Sequence, residues 1–167
     1  LLGERYGIKA DEFKKEMPRI FEQPFDSVRK RMTVVCHKDD EITAYTKGAV
    51  EELLPVCKQI LTPDGVRMLT DMDRKQILLL CKSMSEEALR VLGFAQRTLD
   101  AAPQSEDTDV EHDLIFVGMV GMIDPPRKEV VQAIDTCHRA GIRVIMITGD
   151  HQVTATEIAR QLHIFRT

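Results

Sequence analysis

The stretch Arg143-Val144-Ile145-Met146-Ile147-Thr148-Gly149-Asp150 decides how the chain is read, because an apolar run halts there at a small-residue turn. A short continuous apolar run bounded by a turn predicts a strand buried on both faces, as in parallel sheets. The segment that follows, 151–162, places Val153, Ala155, Ile158, Ala159 and Leu162 at helical spacing. In open α/β sheets, ligands bind at the carboxyl ends of the strands. The hydroxyl of Thr148, the bare backbone of Gly149 and the charge of Asp150 would project at such an end, where a phosphate or its metal could be handled. The plainer reading is a capping Asp after a buried strand.

Upstream, Asp124-Pro125-Pro126-Arg127 ends a second apolar run, Leu114 to Ile123. Each proline lacks a donor and fixes φ, so a strand cannot continue through it, and Pro126 suits the first turn of a helix over 128–140. From 124 to 150 the pattern is thus strand end, Pro turn, helix, Gly turn, strand and turn, about half of a doubly wound domain. This combination resembles the P-type cation-transporting ATPases, whose "DPPR" opens the second part of the phosphorylation domain and whose "TGD" lies beside the phosphorylated aspartate. The resemblance runs upstream through Lys47-Gly48-Ala49, covers most of the chain and is nearest to the calcium-pump-like branch, as "VGMVGMIDPPR" indicates.

Composition sets the frame. With 167 residues there is room for one ordinary domain or two small ones, and 43% hydrophobic with 30% charged residues is a soluble globular balance. A net charge of −4 gives no reason to expect nucleic acid. No apolar run approaches the roughly 18 residues of a membrane-spanning helix. The chain has no initiator Met and no targeting motif, and reads as a piece of something longer. Cys36, Cys57, Cys81 and Cys137 form no CxxC and pair with no His spacing, so no metal site is expected, and three of them, set among apolar residues, read as reduced core thiols. His151 could touch a phosphate or be an exposed first-turn residue.

Residues 19–99 follow a different pattern. Arg31 to His37 and Glu41 to Thr46 are β-rich runs joined by Lys38-Asp39-Asp40, a predicted hairpin. A helix is expected from Val50 to Gln59, interrupted by Pro55. Thr62-Pro63-Asp64-Gly65 is a turn. Thr70 to Glu87 is an amphipathic helix capped by Thr70 or Asp71, and Arg90 to Thr98 a strand. Asp100 to Asp113 reads as an exposed, disordered loop.

The resemblance implies an α/β protein in two parts. Residues 1–122 would be an α+β nucleotide-binding domain, an antiparallel sheet flanked by helices, lacking its first portion. Residues 123–167 would start a haloacid-dehalogenase-like Rossmannoid parallel sheet, the phosphorylation domain. Phe25, in Pro24-Phe25-Asp26-Ser27-Val28-Arg29-Lys30-Arg31-Met32-Thr33, matches the family's adenine-stacking position, with Lys30 and Met32 beside it; composition alone favours a core Phe next to a solvated basic turn. Lys47-Gly48-Ala49 with Glu51 matches "KGAxE", whose lysine lies deep in the nucleotide pocket. Arg90 matches an arginine that meets the polyphosphate, against a plainer surface pair with Glu86. Arg127, Thr148, Gly149 and Asp150 would stand on the phosphate side, and Asp124 would be structural or an ATP-contacting hinge carboxylate.

The implied ligands are ATP and the Mg2+ it carries, and the implied partners are the other domains of an integral membrane pump whose cytosolic part this would be. The family's "DKTGT" with its phosphorylated aspartate and its "GDGxND" motif do not occur in these 167 residues. The fragment by itself is therefore expected to bind and not to turn over. Rival readings are a soluble phosphohydrolase of the haloacid-dehalogenase superfamily and a non-catalytic nucleotide-binding module. Open sheet edges left by missing strands would favour a homodimer.

Overall fold

The computed structural model describes residues 2–87, 89–105, 108–122, 127–148 and 152–165. Two short helices, α1 (Leu2–Arg5) and α2 (Ala10–Glu16), lead into the edge strand β1 (Arg19–Asp26). The expected hairpin follows as β2 (Arg31–Lys38) and β3 (Glu41–Gly48). Its loop is the two residues Asp39 and Asp40, with Asp39 at φ 51°, a region Asp tolerates better than most residues. Next come a single turn of helix, α3 (Val50–Leu53), and a 3-10 turn (Leu54–Val56). The chain then forms β4 (Cys57–Thr62), β5 (Gly65–Met68), α4 (Asp71–Glu86), β6 (Arg90–Leu99), β7 (Leu114–Met122), α5 (Lys128–Arg139) and α6 (Gln152–Gln161).

The strands make one seven-stranded sheet in the order β1-β2-β3-β6-β7-β4-β5. The β1/β2, β2/β3, β3/β6 and β4/β5 pairs are antiparallel, and β4 runs parallel to β7. The mixed α/β class expected from the sequence is what the structure shows. The chain divides into two units, Leu1–Leu78 with Leu92–Val120, and Leu79–Val91 with Gly121–Thr167.

In the first unit the core is built on one sheet face. Val35, Ala44, Leu53 and Leu114 are fully buried, joined by Val50, Cys57, Val110 and Phe116. Each such aliphatic side chain contributes about 1.5–3 kcal/mol by leaving water. Arg74 donates to the carbonyls of Leu54 and Cys57, which closes the end of the 3-10 turn against α4. The start of α4 is a reciprocal cap: the Asp73 amide donates to the Thr70 hydroxyl (3.2 Å), and the Asp73 carboxylate accepts from the Thr70 amide (2.9 Å). Arg67 forks onto the same carboxylate at 2.6 and 2.8 Å. That fork, with the Thr70 bonds, holds the Asp73 carboxyl well below the usual range.

Three expectations need correction. The helix drawn from Val50 to Gln59 ends at Leu53, because Pro55 has no amide to continue it, and residues 57–62 become a strand. In the segment expected to be an exposed loop, Val110 and Glu111 are buried, at 1% and 3% exposed. The predicted strand 143–147 joins no ladder among the described residues: Ile145 is 68% and Ile147 94% exposed. A parallel strand exists only where neighbours accept its backbone bonds, and the described residues provide none.

In the second unit, α5 ends at Gly141, whose φ of 76° lets the Ile142 amide reach back to Cys137 O (2.9 Å). Ile134, Ala159 and Leu162 are buried in this unit. No described helix is long and apolar enough to cross a membrane.

Burial pushes the Cys57 thiol up to about 12, and raises Cys36 less. At pH 8 iodoacetamide should therefore modify half-buried Cys36 while sparing buried Cys57 until urea unfolds the chain. Mass mapping that finds Cys57 labelled first in the native protein would contradict this packing.

Candidate functional site

Register builds the site. Met32 stands opposite Lys47, and Lys47 opposite Phe94; in the next row Val34 faces Tyr45, and Tyr45 faces Gln96. Because side chains alternate across a sheet, these six share one face, while the intervening rows, Thr33–Thr46–Ala95 and Val35–Ala44, turn into the core. The six, with Arg19 and Val117 and with Thr46 and Ala95 at its floor, line a cleft of about 540 Å³. Its wall is apolar and aromatic, its cations are Lys47 and Arg19, and no carboxylate borders it among the described residues. Arg19 pairs with Glu22. The Lys47 ammonium makes no hydrogen bond or ion pair among the described residues. A concave apolar wall with a few placed polar groups is the ordinary form of a small-molecule site.

Met32 and Lys47 thus come together. Phe25 and Lys30 do not line the cleft: Phe25 lies near the end of β1, and Lys30 ends the turn that leads into β2 and Met32. Phe25 is 63% exposed. Lys30 adopts φ 49° and points its ammonium at Glu52 Oε1, 3.4 Å away. The Asp26 carboxylate accepts from the amides of Val28 (3.0 Å) and Arg29 (2.8 Å), which holds its carboxyl below the usual range and caps the turn. Gly48 belongs to the core-facing row, opposite Arg31 and Gly93. A Cβ there would stand 2.5 Å from Arg31 Cβ and 2.7 Å from Lys30 O, so the close approach that demands glycine is by the chain itself.

Arg90, the exposed first residue of β6, falls in the second unit and does not border the cleft. Arg127 is the exposed residue before α5 and makes no side-chain capping bond. Thr148 is exposed at the end of the 142–148 segment. Neither lines the second unit's own hollow of about 610 Å³, which Val144, Met146, Ala155 and Ala159 help to wall. Asp124, Gly149, Asp150 and His151 lie outside the described residues. Sequence reasoning missed Phe94, Gln96, Tyr45 and Arg19. Tyr45 was within reach, because the two-residue turn fixes Lys38 opposite Glu41 and counting back pairs Tyr45 with Val34.

Residues 1–129 match the family model for the P-type ATPase cytoplasmic domain N. The chain belongs to the P-type ATPases. It is 46% identical over 165 residues to a calcium-transporting ATPase of Bacillus cereus, a match that covers 97% of this chain and 18% of that protein. The cation-transporting ATPase pma1 of Synechocystis is 43% identical over 159 residues, 95% of this chain and 17% of the relative. A sodium/potassium exporting ATPase of Schizosaccharomyces pombe is 40% identical over 168 residues, 98% of this chain and 16% of the relative. The chain therefore spans less than a fifth of the length of these relatives.

Gly48→Ala should destabilise the first unit by about 1–3 kcal/mol, since backbone and not a flexible tip occupies the space. A urea midpoint unchanged from wild type would contradict the close approach.

Proposed function

We propose that the first unit binds ATP, with the adenine on the Met32–Lys47–Phe94 face and the phosphates drawn by Lys47. One observation carries this reading: an ammonium that has no partner among the described residues stands in a row with a thioether and an aromatic ring, in a cleft that no described carboxylate borders. Thioether and aromatic surfaces suit a base, and an unpaired cation suits a polyphosphate. Phe25, exposed at the end of β1, supplies a further stacking face, and Lys30 a second cation close by.

Residues 1–122 are then the later part of a nucleotide-binding domain and residues 123–167 the start of a phosphorylation domain. Arg90, Arg127, Thr148, Gly149 and Asp150 are assigned to the phosphate side by the family motifs alone. Magnesium comes with the nucleotide. The parent protein hydrolyses ATP through an aspartyl phosphate and moves a cation across a membrane, this chain being on the cytosolic side. Calcium is the proposed ion, because calcium-transporting ATPases of B. cereus and Plasmodium falciparum are among the relatives. Sodium and potassium stand behind it. Nothing in the comparisons supports pairing of two copies through the sheet edges.

An ATP titration followed by 15N-resolved NMR tests the proposal. The wild-type chain should show saturable shifts at Met32, Lys47 and Phe94. Phe25→Ala should weaken binding by about 5- to 150-fold, the range for loss of one base–aromatic stack. Lys47→Ala should weaken it too, with a smaller salt dependence than wild type. No shift at millimolar ATP, or shifts confined to the second unit, would overturn the assignment.

A further inference from the structure

Glu111, just before β7, is a carboxylate buried in the first unit, its side chain 2% exposed. Its Oε2 accepts from Arg29 and from Arg31 Nε (2.7 Å), and its Oε1 accepts from the Thr33 hydroxyl (2.9 Å). Thr33 in turn meets the Thr46 hydroxyl at 2.8 Å across the β2/β3 pair. Arg29 and Arg31 flank Lys30. Arg29 also donates to the carbonyl of Pro24 (2.9 Å), the residue before Phe25. Arg31 reaches the carbonyls of Arg29 (3.4 Å) and Glu52 (3.3 Å). The Lys30 amide donates to Asp26 O (2.7 Å), and the Lys30 carbonyl accepts from the Ala49 amide (3.0 Å). Residues 24–31 are thereby closed into a loop that is tied to a point about 80 residues away in sequence.

We propose that Glu111 is a positioning residue for the nucleotide cleft: by holding both arginines that flank Lys30, it pre-sets the loop that presents Phe25 and Lys30 beside Met32. The inference rests on the nucleotide reading above. Phe25 and Lys30 are exposed, so their placement follows chiefly from the backbone that carries them. A carboxylate this buried needs charged and hydrogen-bonding partners, and the two guanidiniums and the threonine supply three hydrogen bonds. Cutting the tie leaves those side chains to be ordered when ligand arrives, and that cost comes out of affinity.

The test uses the chain as it stands, in four versions: wild type, Glu111→Gln, Arg29→Met and, as an unrelated destabilised control, Thr70→Ala. Arg29→Met removes the arginine tie that reaches Pro24 and leaves the Arg31 and Thr33 bonds to Glu111 intact, so it decides the matter if Glu111→Gln fails to fold. For each, amide hydrogen exchange is measured without nucleotide and the ATP dissociation constant by titration. Glu111→Gln and Arg29→Met should speed exchange at Arg29 and Lys30, and weaken ATP about tenfold, the cost of reordering two rotamer-rich side chains. Thr70→Ala should lower the melting temperature and leave affinity unchanged. Affinity within about twofold of wild type in both loop variants, at whatever melting temperature, overturns the positioning role and leaves ATP binding standing. A wild-type chain that does not bind ATP overturns the nucleotide reading, and the role of Glu111 with it.

Discussion

A slip of one residue in β3 against its neighbours would carry Lys47 from the cleft into the core and bring Thr46 out in its place, since side chains alternate face by face. Burying an ammonium without a partner costs several kcal/mol, so the pairing of β2, β3 and β6 is strongly specified. Three features hold it. The two-residue turn at Asp39-Asp40 sets the count, the Thr33–Thr46 hydroxyl pair locks one row, and the contact of Gly48 with Arg31 closes the far end. Everything assigned to the cleft follows from that count.

The polar cluster under the same strands serves a different end. Apolar side chains at Thr33, Thr46 and Glu111 would fill the space and avoid desolvating a charge, and buried ion pairs often add little net stability. What the cluster adds is direction: guanidiniums and a carboxylate bond at fixed angles, so the β1–β2 connection has one arrangement where an oily contact would allow several. The link runs from Glu111 through two arginines to the segment that carries Phe25 and Lys30. Fold and site are the same set of bonds there.

Much of the first unit was legible in the sequence. The hairpin, the Thr70 cap, the long α4 helix and the β6 strand all rest on local signals, namely turn residues, caps and periodicity. Met32 and Lys47 carry motif signals and stand opposite each other in the β2/β3 register, whereas Phe94 and Gln96 reach the cleft through a β3/β6 pairing across some fifty residues that no local pattern announces. Glu111 was hidden for the opposite reason: its surroundings, rich in Ala, Pro, Ser and acidic residues, have the composition of a solvated loop, and only the arginines across the fold turn it inward. The 143–147 run shows the limit of periodicity. An apolar run marks a segment fit to be a strand, but a ladder needs partners, and the described residues offer it none.

The most direct test of the central claim is a set of intermolecular NOEs between ATP and the methyl-labelled chain. Contacts from the adenine protons to the Met32 ε-methyl, with Phe94 ring protons beside them, are the result expected if the base lies on the Met32–Lys47–Phe94 face. Contacts to Val35 or Ala44 on the opposite face, or to the second unit alone, would contradict the account.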